Sequence, residues 1–241
     1  MIAWILSVMS PGFVAMYFGL AADQVGNTLF DREAGLTTEF LETRAGDVRF
    51  VADALLDGAD QAVPAALRGR FDASRLAVMG HSFGGVTTGL VLQEDARFRA
   101  GLSIAAPFEN PLIPGVLMAQ VRQPVLFLVA REDNSITELG NQIIRANFAA
   151  AATPAWKVEV TDAGHWSFSD ICDLTSDFSA GCGDGVRQTE PGVPFRYVAI
   201  PTGIAIGQRV ATAYFRGQLL GDEAALAALA QPDASGLVEV A

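Results

Sequence analysis

Short apolar segments of strand length alternate with helix-like segments along most of the chain. Four of them predict strands: SRLAVMG (74–80), AGLSIAAP (100–107), QPVLFLVA (123–130) and AWKVEVTDAGH (155–165). The spacing of apolar residues predicts helices over 43–57, 83–93, 141–152 and 204–220. This alternation is typical of a parallel sheet with helices on both faces, so we predict an α/β fold. Ligands of such sheets bind at the carboxyl ends of the strands.

The composition describes a packed globular protein. Hydrophobic residues make up 51% of the 241 residues and charged residues 18%. No internal repeat or linker divides the chain, so we expect a single domain over residues 1–241. The net charge of −11 would repel phosphate backbones, and nucleic acid is not expected as a partner. The sequence does not specify an oligomeric state.

The first 22 residues carry no charge. Ser10, Pro11 and Gly12 interrupt this segment near its middle, and two strands or a strand and a helix account for it equally well. We do not expect membrane insertion, because a span needs about 20 apolar residues without such a break. No Lys or Arg precedes the segment, as a signal peptide would require. Residues 23–44 are polar and are predicted to form a loop.

A serine lies between glycines at a predicted strand-to-helix transition. The pattern is Gly80-x-Ser82-x-Gly84, and it matches a nucleophile elbow. Glycines let the strand and helix approach closely, while the tight turn exposes the serine hydroxyl. The helix N-terminus after the serine supplies N–H groups for a developing oxyanion. Ser82 is therefore the candidate nucleophile.

A serine nucleophile needs a base, and the base needs an acid. The chain has two histidines, and His81 is expected to pack or hydrogen-bond beneath the elbow. His165 follows the last strand and is the candidate base. Asp133 follows the strand QPVLFLVA and is the candidate acid, with Glu132 as the neighbouring alternative and Glu138 as a more distant one.

Two cysteines, Cys172 and Cys182, flank a polar segment. They are either free thiols or a disulfide that closes a short loop, and we favour the disulfide. A disulfide would indicate an oxidising compartment, secreted or periplasmic, and the sequence otherwise leaves localisation open. No Cys-x-x-Cys pair or histidine cluster accompanies them, so no metal site is expected.

With these residues in place, the sequence resembles the α/β-hydrolase superfamily. Within it, the chain is similar to platelet-activating-factor acetylhydrolase and dienelactone-hydrolase-like serine esterases. The similar segments are DQVGNT (23–28), GDVRFVADAL (46–55), FDASRLAVMGHSFGG (71–85), QPVLFLVAREDNSI (123–136) and GHWSFSDIC (164–172).

The resemblance implies an α/β-hydrolase fold and a serine esterase without metal or organic cofactor. It places the nucleophile at Ser82, the acid at Asp133 and the base at His165. The expected substrate is a small-molecule ester with a short-acyl or lipid-like group. Dienelactone hydrolases have cysteine at the elbow, so Ser82 argues against their reaction. The alternatives are a catalytically weak or silent binding protein of this fold, or a hydrolase of polyesters or lipids.

The resemblance also implies further strands and a His-Gly loop before residue 23, so we expect a fold shortened at its N-terminus. The first oxyanion donor is expected to be the N–H of Phe83, which follows the nucleophile. For the second donor we predict the N–H of Gly12 or Phe13. This prediction depends on their break lying at the strand end near Ser82.

Overall fold

The fold is built around one large sheet. In a computed structural model, the described residues are 2–9, 12–19, 37–58, 60–61, 63–152, 154–174, 181–231 and 236–241, the first two ranges for their backbone alone. The strands are β1 (Ile2–Met9), β2 (Gly12–Gly19), β3 (Leu76–His81), β4 (Phe98–Ile104), β5 (Val125–Ala130), β6 (Ala155–Val160), β7 (Asp184–Val186), β8 (Pro194–Arg196) and β9 (Val238–Val240). The α-helices are α1 (Thr38–Leu56), α2 (Phe83–Glu94), α3 (Thr137–Ala150), α4 (Ile171–Leu174), α5 (Ile200–Leu220) and α6 (Glu223–Leu229), and Met118–Gln120 forms a 3-10 turn.

Seven strands form the sheet in the order β2-β1-β3-β4-β5-β6-β9. The central strands β3 to β6 are parallel, whereas β1 and β9 run antiparallel to their neighbours β3 and β6. Strands β7 and β8 form a separate antiparallel hairpin. All four strands that the sequence predicts form the parallel centre of the sheet, which confirms the expected α/β fold.

Alternate residues of the central strands pack on opposite faces, as the period of two in a strand requires. On β5, Val125, Phe127 and Val129 join a core with α1, α2 and α3. Leu126 and Leu128 belong to a second core, formed with α5 and α6. Because both faces are covered, β5 is a continuous apolar run, as is typical of parallel sheets.

Three helices begin four or five residues before the positions that the spacing predicts. Helix α1 begins at Thr38, α3 at Thr137 and α5 at Ile200. The first turn of α1 therefore lies in the segment 23–44, for which the sequence predicts a loop. The Thr37 hydroxyl accepts from the Phe40 N–H at 3.1 Å and caps α1. First turns such as these contain polar residues, Gly or Pro, so their composition resembles that of a loop. The rest of the predicted loop, residues 23–36, lies outside the described residues.

No helix in the described part of the chain is long and apolar enough to cross a membrane.

Glu159 on β6 is a buried carboxylate in an ionic cluster. It accepts from Arg145 of α3 at 2.9 and 3.0 Å and pairs with Lys157 at 2.8 Å. Burial alone would raise the pKa of Glu159, but the hydrogen bonds and charges of Arg145 and Lys157 outweigh it. The net effect lowers the pKa from 4.5 to about 2.

This cluster predicts a specific loss of stability in acid. A pKa that is lower in the folded than in the unfolded state stabilises the fold above the unfolded value, and the contribution is lost as pH falls through the folded value. The stabilisation that Glu159 contributes is therefore lost between pH 4.5 and about pH 2. We expect Glu159→Gln to be less stable than wild type at pH 6, with a difference that narrows below pH 4.5.

Urea unfolding at a series of pH values measures this difference. Glu42→Gln, at an exposed position on α1, is the control for removing a carboxylate outside the cluster. A constant difference between Glu159→Gln and wild type from pH 6 to pH 3 would contradict the assignment.

Candidate active site

Ser82 occupies a strained turn between β3 and α2. Its backbone has φ 57° and ψ −128°, a region that a residue with a side chain rarely adopts. Such a conformation costs about 1–3 kcal/mol and persists only when the surroundings fix it. The Ser82 N–H donates to the Ile104 carbonyl at 2.9 Å, so the bonding of β3 to β4 continues into the turn. A Cβ on Gly80 would collide with the backbone of Gly84, which explains why position 80 is glycine.

Helix α2 begins directly after Ser82. Among the described contacts, the Ser82 side chain does not cap this helix, so its hydroxyl is not used at the helix end. Phe83 is the first helical residue, and the first N–H groups of a helix have no carbonyl partner within it. The N–H of Phe83 therefore belongs to the set of N-terminal donors that can bind an anion.

Asp133 and His165 are in direct contact. His165 Nδ1–H donates to Asp133 Oδ2 at 2.7 Å. The other oxygen, Oδ1, accepts from the N–H groups of Ser135 and Ile136 at 2.8 and 2.9 Å. Both side chains are buried, at 0% and 1% exposure. The carboxylate is thus held rigidly, and in the neutral imidazole the lone pair is on Nε2.

The free nitrogen of His165 has the properties that a base requires. Nε2 is buried and has no hydrogen-bond partner among the described residues. Because His81 immediately precedes Ser82 and its ring centroid lies 4.8 Å from that of His165, the candidate base lies beside the elbow.

The two alternative acids are engaged elsewhere. Glu132 accepts from the Gln188 N–H at 2.7 Å and makes a short hydrogen bond with the Thr189 hydroxyl. It therefore fastens the loop of the β7–β8 hairpin. Glu138 pairs with Arg145 on α3 at 2.7 Å. Of the three candidate acids, Asp133 is the one in contact with His165.

His81 does form a hydrogen bond, but its acceptor lies on the loop that carries His165 (residues 163–169), which we call the base loop because His165 is the candidate base. Its Nε2–H donates to the main-chain carbonyl of His165 at 2.7 Å. Burial and, second, the charge of His165 lower the pKa of His81 from 6.5 to about 3. The ring of Trp166 packs against both imidazoles, with centroids 5.1 Å from His81 and 4.8 Å from His165.

The loop that carries His165 is compact. The Ser167 hydroxyl accepts from the Gly164 N–H at 2.9 Å, and the Ser167 N–H donates to the Gly164 carbonyl at 3.1 Å. Helix α5 approaches so closely that a Cβ on Gly203 would collide with the Ser167 carbonyl. No local sequence pattern indicates this role of Gly203, because the contact joins segments that are distant in the chain.

Cys172 and Cys182 form the predicted disulfide, with Cα atoms 6.5 Å apart. It joins α4, which follows the base loop, to the residues before β7. Within the described ranges, no group of three or more His, Cys, Asp or Glu side chains could hold a metal ion.

The strand register contradicts the prediction that Gly12 or Phe13 donates to the oxyanion. β1 is indeed the strand beside β3, but it is antiparallel, and Ile2 pairs with His81. Gly12 pairs with Met9 at the other end of β1. An eight-residue strand separates these ends by roughly 20 Å. Gly12 and Phe13 therefore lie at the edge of the sheet opposite Ser82.

Comparison with known proteins identifies the family. A family model described as "Platelet-activating factor acetylhydrolase, isoform II" matches residues 48–180, more than half of the chain. The chain belongs to this family. The match of the platelet-activating factor acetylhydrolase isoform II family includes Ser82, Asp133 and His165.

Individual relatives match shorter segments. Platelet-activating factor acetylhydrolases of Gallus gallus and Cavia porcellus are 42% and 40% identical to the chain over 62 residues. These residues are 26% of this chain and 14% of each relative, so the match spans a small part of their length.

A solved structure is similar over most of the chain. It is a ferulic acid esterase from Streptomyces cinnamoneus, with a TM-score of 0.64 and 26% identity. The similarity covers 89% of this chain and 58% of the esterase. Together with the sheet order, this similarity confirms the α/β-hydrolase fold.

The close approach of α5 to the base loop predicts that alanine substitutions at two glycines of this helix have different effects on stability. At Gly203 a methyl group would collide with main chain, whereas at Gly207 its nearest contacts are ordinary, at 3.8 and 3.9 Å. We expect Gly203→Ala to lower the unfolding free energy by about 1–3 kcal/mol, as overpacking does. Gly207→Ala should be neutral or stabilising by about 0.5–1 kcal/mol, since alanine favours a helix.

Denaturant unfolding measures both variants, and hydrogen exchange over residues 163–169 reports the base loop. Exchange there should accelerate in Gly203→Ala alone. Equal stability of the two variants would show that the approach is not tight.

Proposed function

We propose that the chain is a serine carboxylic-ester hydrolase that works through an acyl-Ser82 intermediate. The observation that carries the proposal is the buried contact from His165 Nδ1 to Asp133, which leaves Nε2 without a described partner beside the elbow. Membership of an acetylhydrolase family and the likeness to a ferulic acid esterase support ester hydrolysis.

Acylation follows from the roles of the three residues. Ser82 Oγ attacks the ester carbonyl carbon, and its proton moves to His165 Nε2. Asp133 stabilises the imidazolium, and the N–H of Phe83 donates to the carbonyl oxygen as it becomes negative. When the tetrahedral intermediate collapses, the bond to the alcohol oxygen breaks, and the proton on Nε2 passes to that oxygen.

Deacylation repeats these steps with water. His165 Nε2 takes a proton from a water molecule while the oxygen of that water attacks the acyl carbon. The bond to Ser82 Oγ then breaks, Oγ regains a proton from Nε2, and the acid is released. No metal or organic cofactor takes part in this scheme.

The proposed substrates are small-molecule esters with short-acyl or lipid-like groups. Rates for p-nitrophenyl esters of increasing acyl length, compared with those for a feruloyl ester and a polyester film, would distinguish this class from the polyester alternative. The disulfide is compatible with a secreted or periplasmic location, which we propose for the protein.

The test of the nucleophile is covalent labelling. A fluorophosphonate should add one label, on the peptide that carries Ser82, and Ser82→Ala should remain unlabelled. Turnover of p-nitrophenyl acetate by Ser82→Ala should fall by roughly 10⁶-fold, the loss typical of a triad nucleophile. Ser74→Ala, on an exposed turn, is the matched control and should label normally. A wild-type protein that is folded but neither labels nor turns over esters would instead indicate a catalytically silent binding protein.

The test of the acid compares neighbouring carboxylates. Asp133→Asn should keep the fold and lose roughly 10⁴-fold in kcat, because the amide favours the wrong imidazole tautomer. Glu132→Gln should lower Tm through the β7–β8 hairpin and keep kcat near the wild-type value. Glu138→Gln should change neither quantity appreciably. Steady-state kinetics and thermal melts measure all three, and a folded Glu132→Gln enzyme with crippled kcat would overturn the assignment.

A further inference from the structure

One side chain links the nucleophile strand directly to the base loop. His81 is the last residue of β3 and the neighbour of Ser82, and its ring reaches the main chain of His165, 84 residues further along the sequence. The bond joins Nε2 of His81 to the carbonyl oxygen of His165 at 2.7 Å. His81 is 7% exposed, so water has little access to replace the bond.

The chemistry of the two groups fixes the direction of this bond. A carbonyl oxygen only accepts, so the hydrogen must be on Nε2 of His81. Burial and the nearby charge of His165 lower the pKa of His81 to about 3, and the ring is therefore neutral at neutral pH. A neutral donor holds the loop without placing a second positive charge beside the base when His165 is protonated.

The acceptor is the carbonyl of the base itself. The side chain of His165 is held at Nδ1 by Asp133, which fixes the ring at one end. A hydrogen bond to the His165 main chain fixes the point from which the ring projects. These two hydrogen bonds together determine where Nε2 of His165 lies relative to the turn at Ser82.

We propose that His81 is a positioning residue for the reaction, and that its Nε2–H holds the His165 main chain so that the base meets Ser82. This inference rests on the proposed function, because it names a residue that supports the same site. His81 does not touch the reacting atoms in this scheme. It acts through His165, and its contribution is geometric.

Two substitutions separate the hydrogen bond from the packing of the ring. His81→Phe keeps an aromatic ring against Trp166 and removes the donor. His81→Gln removes the ring but keeps an amide N–H close to the place of Nε2. Thr88→Val is the matched control: Thr88 is fully buried on α2 and donates to the Gly84 carbonyl at 2.9 Å, with no described contact to the base loop.

We expect His81→Phe to lower kcat by on the order of 10- to 100-fold, because a misplacement of about 1 Å can cost 10²-fold. KM for a short p-nitrophenyl ester should stay near the wild-type value, since substrate contacts are unchanged. His81→Gln should recover most of the lost kcat. Fluorophosphonate labelling of Ser82 should slow in parallel, whereas Thr88→Val should keep wild-type kcat.

Hydrogen exchange gives a readout that does not depend on activity. Exchange over residues 163–169 should accelerate in His81→Phe, return towards wild type in His81→Gln and stay unchanged in Thr88→Val. Wild-type kcat and exchange in folded His81→Phe would overturn the proposal, as would equal impairment of the Phe and Gln variants. Failure of the proposed function would differ, because the wild-type protein would then neither label at Ser82 nor hydrolyse esters.

Discussion

The contact between Gly80 and Gly84 is the constraint on which the rest of the site depends. Ser82 can take its strained backbone only if the end of β3 and the first turn of α2 almost touch, and any Cβ on Gly80 would prevent this. Helix α2 must then lie flat on the sheet. It does so because Gly85 and Gly101 also leave no room for a side chain, against Ser103 and Leu92 respectively. The packing of a buried helix thus maintains the strain at Ser82.

The parallel centre of the sheet explains how distant residues meet. Strands β3, β5 and β6 end at the same edge, so the residues that follow them converge there. Two adjacent residues that follow the same strand can still bind different parts of the structure, as Glu132 and Asp133 after β5 do. Glu132 binds the loop of the β7–β8 hairpin, while Asp133 binds the His165 ring. A hydrogen bond from the Glu132 N–H to the Ala163 carbonyl, at 2.9 Å, also joins the acid loop to the segment before His165.

The sequence predicts those parts of the site that follow from local pattern and chain order. The elbow around Ser82 has a local signature, and Asp133 follows a strand that its apolar run identifies. The prediction of an oxyanion donor at Gly12 or Phe13 was wrong because local sequence does not reveal strand direction. An apolar run beside β3 has the same composition whether it is parallel or antiparallel, and reversal moves its end to the other edge. The contact of Gly203 was missed because no local rule reports what a helix meets after folding.

The contacts that hold the base loop in place are hard to infer from residue types. An imidazole fixed only through Nδ1 could still swing with its backbone, so a contact to Asp133 is not sufficient to position Nε2. The main chain is held as well: His81 binds the carbonyl of His165, and Ser167 closes the turn around it. Helix α5 packs onto that turn without an intervening side chain at Gly203. These contacts involve backbone atoms, which every residue possesses, so the position of His165 is set by the fold around it and only partly by the identity of its neighbours.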